Sequence, residues 1–192
     1  MNNNEVHEKL PEQATSRLAI WIIPLAGAAF GVLMAIAVIA RGPQSPSAAL
    51  PSPVPDRVVE GQEAPNFTAV SSKGQTISLK DYRGSVVAVN FWATWCGPCR
   101  VEMPALQTAY SQGKLAVLAV NAGESQAAIN AFMDELALNF PALLDENGTV
   151  VDLYSVRVFP TTVIVSPEGL VTAEHYGPLN EELIDQYINA SQ

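Results

Sequence analysis

The sequence predicts an α/β domain with a mixed central sheet flanked by helices, carried behind one N-terminal transmembrane helix. Three observations predict it. Apolar, β-rich runs at Ser85–Trp92 and Leu115–Ala122 alternate with segments of helical spacing. The alternation closes on a hairpin pattern instead of another strand–helix unit, and that mixes the strand directions. Far upstream, the 23 residues from Leu18 to Ala40 carry no charge. As a helix that run is about 35 Å long and crosses a hydrocarbon core of about 30 Å with modest tilt.

The chain divides into four segments. Residues 1–17 are a polar tail, and residues 18–40 are the anchor in the lipid bilayer. Lys9 and Arg17 precede the apolar run, whereas Arg41 follows it at once, so the charge count leans only weakly to an N-terminus inside the cytoplasm. The run is too long for the apolar core of a signal peptide, although "VIA" before Arg41 would serve as a cleavage site. We read an uncleaved single-pass anchor in the cell membrane. Residues 41–56 contain Pro43, Pro46, Pro51, Pro53 and Pro55 and form a semi-rigid, extended tether. Residues 57–192 have a globular composition and would lie outside the cytoplasm.

Within that domain, "NFTAVSSKGQTISL" reads as two short strands turning at Lys73-Gly74, an N-terminal β-hairpin extension. Ser85–Trp92 is continuously apolar, as a central strand buried on both faces would be. "CRVEMPALQTAYSQ" has helical spacing, and Leu115–Ala122 is a second buried strand. "SQAAINAFMDELAL" is an amphipathic helix with Ser125 as its N-cap. "TTVIVSPEGLVTAEHY" is a hairpin turning at Pro167-Glu168-Gly169, and "NEELIDQYINA" closes the domain as a helix.

Composition excludes several functions. The net charge is −9 and no basic patch is visible, which argues against nucleic acid as a partner. Two cysteines are too few for a secreted disulfide scaffold. A tetrahedral zinc site needs four ligands, and besides the cysteines the chain offers only His7 and His175. A zinc half-site completed by a second chain is the metal alternative, and we assign no metal.

Both cysteines lie in "FWATWCGPCR", at Cys96 and Cys99. A strand ends just before them and a helix begins near Pro98, a residue suited to a first helical turn because its missing N–H would be unpaired there anyway. Cys96 then faces the positive end of a helix dipole, which favours thiolate over thiol. A Cys96 thiolate attacks a substrate disulfide, and Cys99 then attacks Cys96 and releases reduced substrate. Spacing alone also fits a structural disulfide or two buried thiols. Glu102, three residues beyond Cys99, falls on the same helix face. A carboxylate there can accept a proton from a buried thiol, and a solvated helix glutamate is the plainer alternative.

The segment "FWATWCGPCR" resembles the active-site segment of thioredoxin-fold proteins. "NFWATWCGPCRVEMPAL" is most similar to the membrane-tethered TlpA/ResA-like branch, whose domain is of the AhpC/TSA-like redoxin type. Further matching pieces are "APNFTAVSSKGQTISLKDYRG", "NAGES", "NFPALLDENG" and "VRVFPTTVIVSPEGLV", in that order across roughly residues 58–190. The resemblance implies a thioredoxin-like fold and identifies Pro160 with the family's cis-proline beside the cysteines. Phe159 would then offer backbone groups to an extended substrate, with Trp95, Gly97 and Pro98 lining the same groove. It implies that Glu102 is the proton acceptor for Cys99, since Asn90 stands where many thioredoxins carry a buried Asp. Trp92 is expected to pack beneath the site, Pro104 to kink the helix, Arg100 to be a surface charge, and His175 to be exposed without a role.

The function so implied is membrane-anchored thiol–disulfide exchange outside the cytoplasm, with the Cys96–Cys99 disulfide as the redox group and no other cofactor. Protein disulfides are the substrates, apocytochrome c or the cysteines of a copper site among them. An extracytoplasmic reductant also implies a transmembrane thiol donor of the CcdA/DsbD type. The rivals are a peroxiredoxin, whose usual Pro-x-x-x-Thr/Ser-x-x-Cys context is absent, and a copper or apoprotein carrier that grips without turnover.

Overall fold

A computed structural model describes residues 58–192. The expected tail, anchor and tether lie outside the described residues. Seven strands form one sheet: β1 (Thr68–Ser71), β2 (Thr76–Ser78), β3 (Val87–Trp92), β4 (Ala116–Ala122), β5 (Ala142–Asp145), β6 (Thr161–Val165) and β7 (Val171–Tyr176). A 3₁₀ turn covers Leu79–Tyr82, and the helices are α1 (Gly97–Ser111), α2 (Gln126–Glu135), α3 (Thr149–Leu153) and α4 (Glu181–Ala190).

The strand order is β2-β1-β5-β4-β3-β6-β7. β3, β4 and β5 are parallel, whereas β6 runs antiparallel to β3, so the sheet is mixed. The crossovers β3-α1-β4 and β4-α2-β5 step in the same direction along the sheet, and right-handedness therefore puts α1 and α2 on one face. The return from β5 to β6 steps the other way and carries α3 on the opposite face. Two apolar clusters record this division. One joins Trp92, Cys99, Met103 and Leu106 to Ile129 and Phe132 of α2 and to Ile184 and Ile188 of α4. The other joins Val87, Val89 and Phe91 to Phe67, Leu79, Val150 and Tyr154. Strand alternation sorts β3 between them, with Ala88 and Trp92 on one side and Val89 and Phe91 on the other.

The elements expected of the domain are present with trimmed ends. The first hairpin turns through Gly74, whose φ of 80° suits a residue without a Cβ. Ser125 caps α2 by accepting from Ala128 N, and Asn180 caps α4 by accepting from Leu183 N at 2.9 Å. α2 ends at Glu135, earlier than its apolar spacing suggests, because the chain turns left-handed at Ala137. Two elements had no assignment from sequence: β5, of four residues, and α3, of five. Each is too short for periodicity to register. β5 is held by partners on both sides, β4 and β1. α3 is held by Asp145, whose carboxylate accepts from Val150 N and Val151 N.

Candidate active site

β3 delivers the chain to the cysteines. It ends at Trp92, and after three residues Cys96 becomes the N-cap of α1, with Pro98 in the first turn. The Cys96 amide donates to Ala93 O at 3.1 Å, and the Cys96 sulfur accepts from Cys99 N at 3.2 Å. Cys96 and Cys99 form a disulfide, with Cα atoms 5.3 Å apart. Cys99 is completely buried and Cys96 is 5% exposed, whereas Gly97 and Pro98 are exposed around them. An attacking or attacked sulfur is therefore reached at Cys96, at a helix N-terminus whose free N–H groups favour negative charge.

Glu102 lies one turn further along α1 and is completely buried, unlike a solvated helix glutamate. Its two oxygens are both occupied. Asn90 Nδ2 donates to Oε1 at 2.7 Å, and Leu179 N donates to Oε2 at 2.9 Å. Burial pushes the Glu102 carboxyl up to about 7, and the two hydrogen bonds oppose that rise without cancelling it. A carboxyl poised near neutrality can take or give a proton without leaving its partners. Asn90 also donates to Thr162 Oγ1 at 2.9 Å, linking β3, α1 and β6 beneath the disulfide.

Pro160 follows a cis Phe159–Pro160 bond at the start of β6. Phe159 is half-buried and meets the Trp95 ring edge-on at 6.0 Å between centroids. Trp95 itself is 70% exposed, and Val101 and Val158 also present apolar side chains to solvent. Trp92 is buried and packs on Phe132, as expected. Pro104 lies inside α1, which runs unbroken through it. Arg100 is a surface charge, as expected; it pairs with Glu135 at 2.7 Å and lies 4.6 Å over the Phe132 ring. One minor expectation needs correcting. His175 is half-buried, not exposed, and its Nδ1 shares a hydrogen bond with the Tyr187 hydroxyl.

Sequence reasoning missed a second carboxylate at the site. Glu124, in the turn after β4, accepts from Thr94 N at 2.6 Å, from the Thr94 hydroxyl, and from Asn121 Nδ2 at 2.8 Å. The signal was available. Parallel neighbours end at the same sheet edge, so the loop after β4 must lie beside the loop after β3.

Comparisons with known proteins agree with this geometry. Residues 60–174 match the AhpC/TSA family. The thiol-disulfide oxidoreductase ResA of Bacillus subtilis is 41% identical over 138 residues, covering 70% of this chain and 76% of that protein. The thioredoxin-like protein YneN of the same organism is 42% identical, covering 69% and 80%. A Chlorobium tepidum structure assigned as a thiol:disulfide interchange protein DsbE superposes with a TM-score of 0.64 at 32% identity, over 70% of this chain and 98% of that one. These relatives are named for thiol–disulfide exchange or for thioredoxin, and this chain belongs to the AhpC/TSA family as a thiol-disulfide oxidoreductase with a thioredoxin-like fold.

Proposed function

We propose that the protein is a membrane-anchored reductant of protein disulfides outside the cytoplasm, and that its clients include apocytochrome c awaiting haem attachment. The observation that carries the exchange chemistry in this reading is a disulfide at a helix N-terminus whose second sulfur is fully enclosed, with the completely buried Glu102 carboxyl one turn below it. In the reduced protein, the Cys96 thiolate attacks one sulfur of the client disulfide. The client's other sulfur leaves as a thiolate and takes a proton from solvent. Cys99 then passes its proton to Glu102 and attacks Cys96, releasing the second client sulfur as a thiolate that takes a proton from solvent. Two electrons have moved, and the enzyme is left as the Cys96–Cys99 disulfide. Trp95, Gly97, Pro98, Phe159 and Pro160 border the extended client segment. A transmembrane dithiol donor of the CcdA/DsbD type restores the reduced form.

Residues 18–40 anchor the chain and residues 41–56 hold the domain of residues 57–192 away from the bilayer, with residues 1–17 inside. The uncharged 23-residue run supports this placement. So does the redox logic, since disulfides persist outside the cytoplasm and a reductant is useful there.

Insulin reduction with a dithiol donor tests the enzyme reading. Cys96→Ser abolishes turnover, whereas Cys99→Ser accumulates mixed disulfides on Cys96. Faster alkylation of Cys99 than of Cys96 in the reduced protein would reverse their roles. Trapping with Cys99→Ser in native membranes identifies the clients, and an absence of apocytochrome c among them would remove the haem-attachment role.

A further inference from the structure

Trp95 poses a physical problem. Its ring is 70% exposed and meets Phe159 only edge-on, so packing does not fix where it stands. With so little burial, the direction of its Cα–Cβ bond, and so the sector the ring can occupy, is set by its backbone. That backbone is fastened one residue earlier. Thr94 gives both its amide and its hydroxyl to the Glu124 carboxylate. Charge-assisted bonds of this kind are the strong ones, and a paired grip on one residue fixes orientation as well as distance.

Glu124 is itself rigidly mounted. Its carboxylate accepts from Asn121 Nδ2 at 2.8 Å, and its own amide donates to Asn121 Oδ1 at 3.3 Å. Asn121 is completely buried in β4, opposite Trp92 in β3 and Leu144 in β5. Gly123, with a φ of 77°, turns the chain so that Glu124 faces back over the strand ends. A continuous line of fixed groups thus runs from the middle of the sheet through Asn121, Glu124 and Thr94 to Trp95.

We propose that Glu124 is a positioning residue that holds Trp95 against the client groove, and so sets the preference for protein disulfides over small ones. This rests on the reductase reading above. A client with chain on both sides of its disulfide meets Trp95 and Phe159. A small disulfide such as oxidised glutathione reaches Cys96 with little use of either ring. Loss of the Thr94 clasp therefore costs protein clients more than small ones.

The full chain, purified in detergent, is assayed for kcat/KM on insulin and for the rate on oxidised glutathione. Glu124→Ala lowers the insulin-to-glutathione ratio by roughly tenfold, in line with the cost of misplacing a positioning group. Trp95→Ala lowers it similarly, and the double variant falls no further, because both remove the same contact. Glu124→Gln recovers most of the ratio. Its oxygen still accepts from Thr94 N, and its amide can donate to the reversible Thr94 hydroxyl. If Glu124→Ala fails to fold, Thr94→Val removes only the hydroxyl and shifts the ratio in the same direction. Equal losses on both substrates, or additive effects of Glu124→Ala and Trp95→Ala, would overturn the proposal while leaving the reductase intact. A wild-type chain that does not reduce insulin at all would instead overturn the reductase reading and this inference with it.

Discussion

The two faces of the sheet bury polar groups in different ways. Beneath α3, each buried polar side chain is tied to the main chain. Asp145 accepts from Val150 N and Val151 N, Thr161 donates to Val158 O, and the Tyr154 hydroxyl donates to Pro65 O at 2.7 Å. These are fasteners, and around them Val87, Val89, Phe91 and their neighbours pack as plain hydrocarbon. Beneath α1, the polar side chains bond to one another as well as to the main chain: Asn90 to Glu102 and Thr162, and Asn121 to Glu124. Asn90 Oδ1 and Trp92 Nε1 find no partner there among the described residues. The difference teaches where function sits: one face holds the fold, and the other holds a proton and a disulfide.

The largest effect that tests this division is on stability. Phe91 is completely buried on the apolar face, with its ring 5.3 Å from that of Tyr154. Phe91→Ala removes a large side chain from a close-packed layer and destabilises by about 3–5 kcal/mol. Urea titration measures the loss. The exchange rate of the fraction that stays folded is expected to match wild type, since the disulfide belongs to the other layer.

Glu102→Gln comes next, and it acts on both stability and chemistry. The folded carboxyl titrates at about 7 against an ordinary value of 4.5. The folded state therefore holds its proton over a pH range in which the unfolded chain has lost it. That contribution is complete below pH 4.5 and is lost as pH rises through about 7, a fall on the order of 3 kcal/mol. Glutamine keeps the shape and removes the titration. The oxidised variant is expected to have a flat stability profile between pH 5 and pH 8, where wild type declines. The same substitution slows decay of the mixed disulfide by on the order of 10²-fold, the lower end of what a placed proton acceptor supplies. Denaturation at several pH values and stopped-flow exchange give the two readouts. Parallel stability profiles with an unchanged resolving step would return Glu102 to a packing role.

Much of this was legible in the sequence, because the site is mostly local. Cys96, Cys99 and Glu102 fall within seven residues at a strand–helix junction, and the placing of Cys99 and Glu102 on one helix face follows from helical geometry. The central strands were legible because both their faces are buried, which leaves an unbroken apolar run. What escaped depends on long-range pairing. The complete burial of Glu102 requires Leu179, 77 residues away, to close over it. The Thr94–Glu124 clasp joins two loops 30 residues apart, and only the parallel register of β3 and β4 makes them neighbours. β5 escaped because four residues show no period, and its partners decide its conformation.

The smallest effect is also the cleanest probe of the separation. Tyr154 is completely buried on the apolar face, and burial pushes its hydroxyl pKa up, so it stays neutral through the working range. Tyr154→Phe keeps the ring against Phe67 and Phe91 and removes only the bond to Pro65 O. The expected loss is about 1 kcal/mol, the net worth of one hydrogen bond. Pro65 begins the segment that leads into β1, on the side of the sheet away from Glu102, so neither the resolving step nor its pH profile is expected to change. Stability and stopped-flow measurements on this variant therefore isolate a fastener from the chemistry. A shift in the pH dependence of mixed-disulfide decay in Tyr154→Phe would mean that the two faces are coupled through the sheet, and the division between a fold-holding face and a proton-holding face would have to be abandoned.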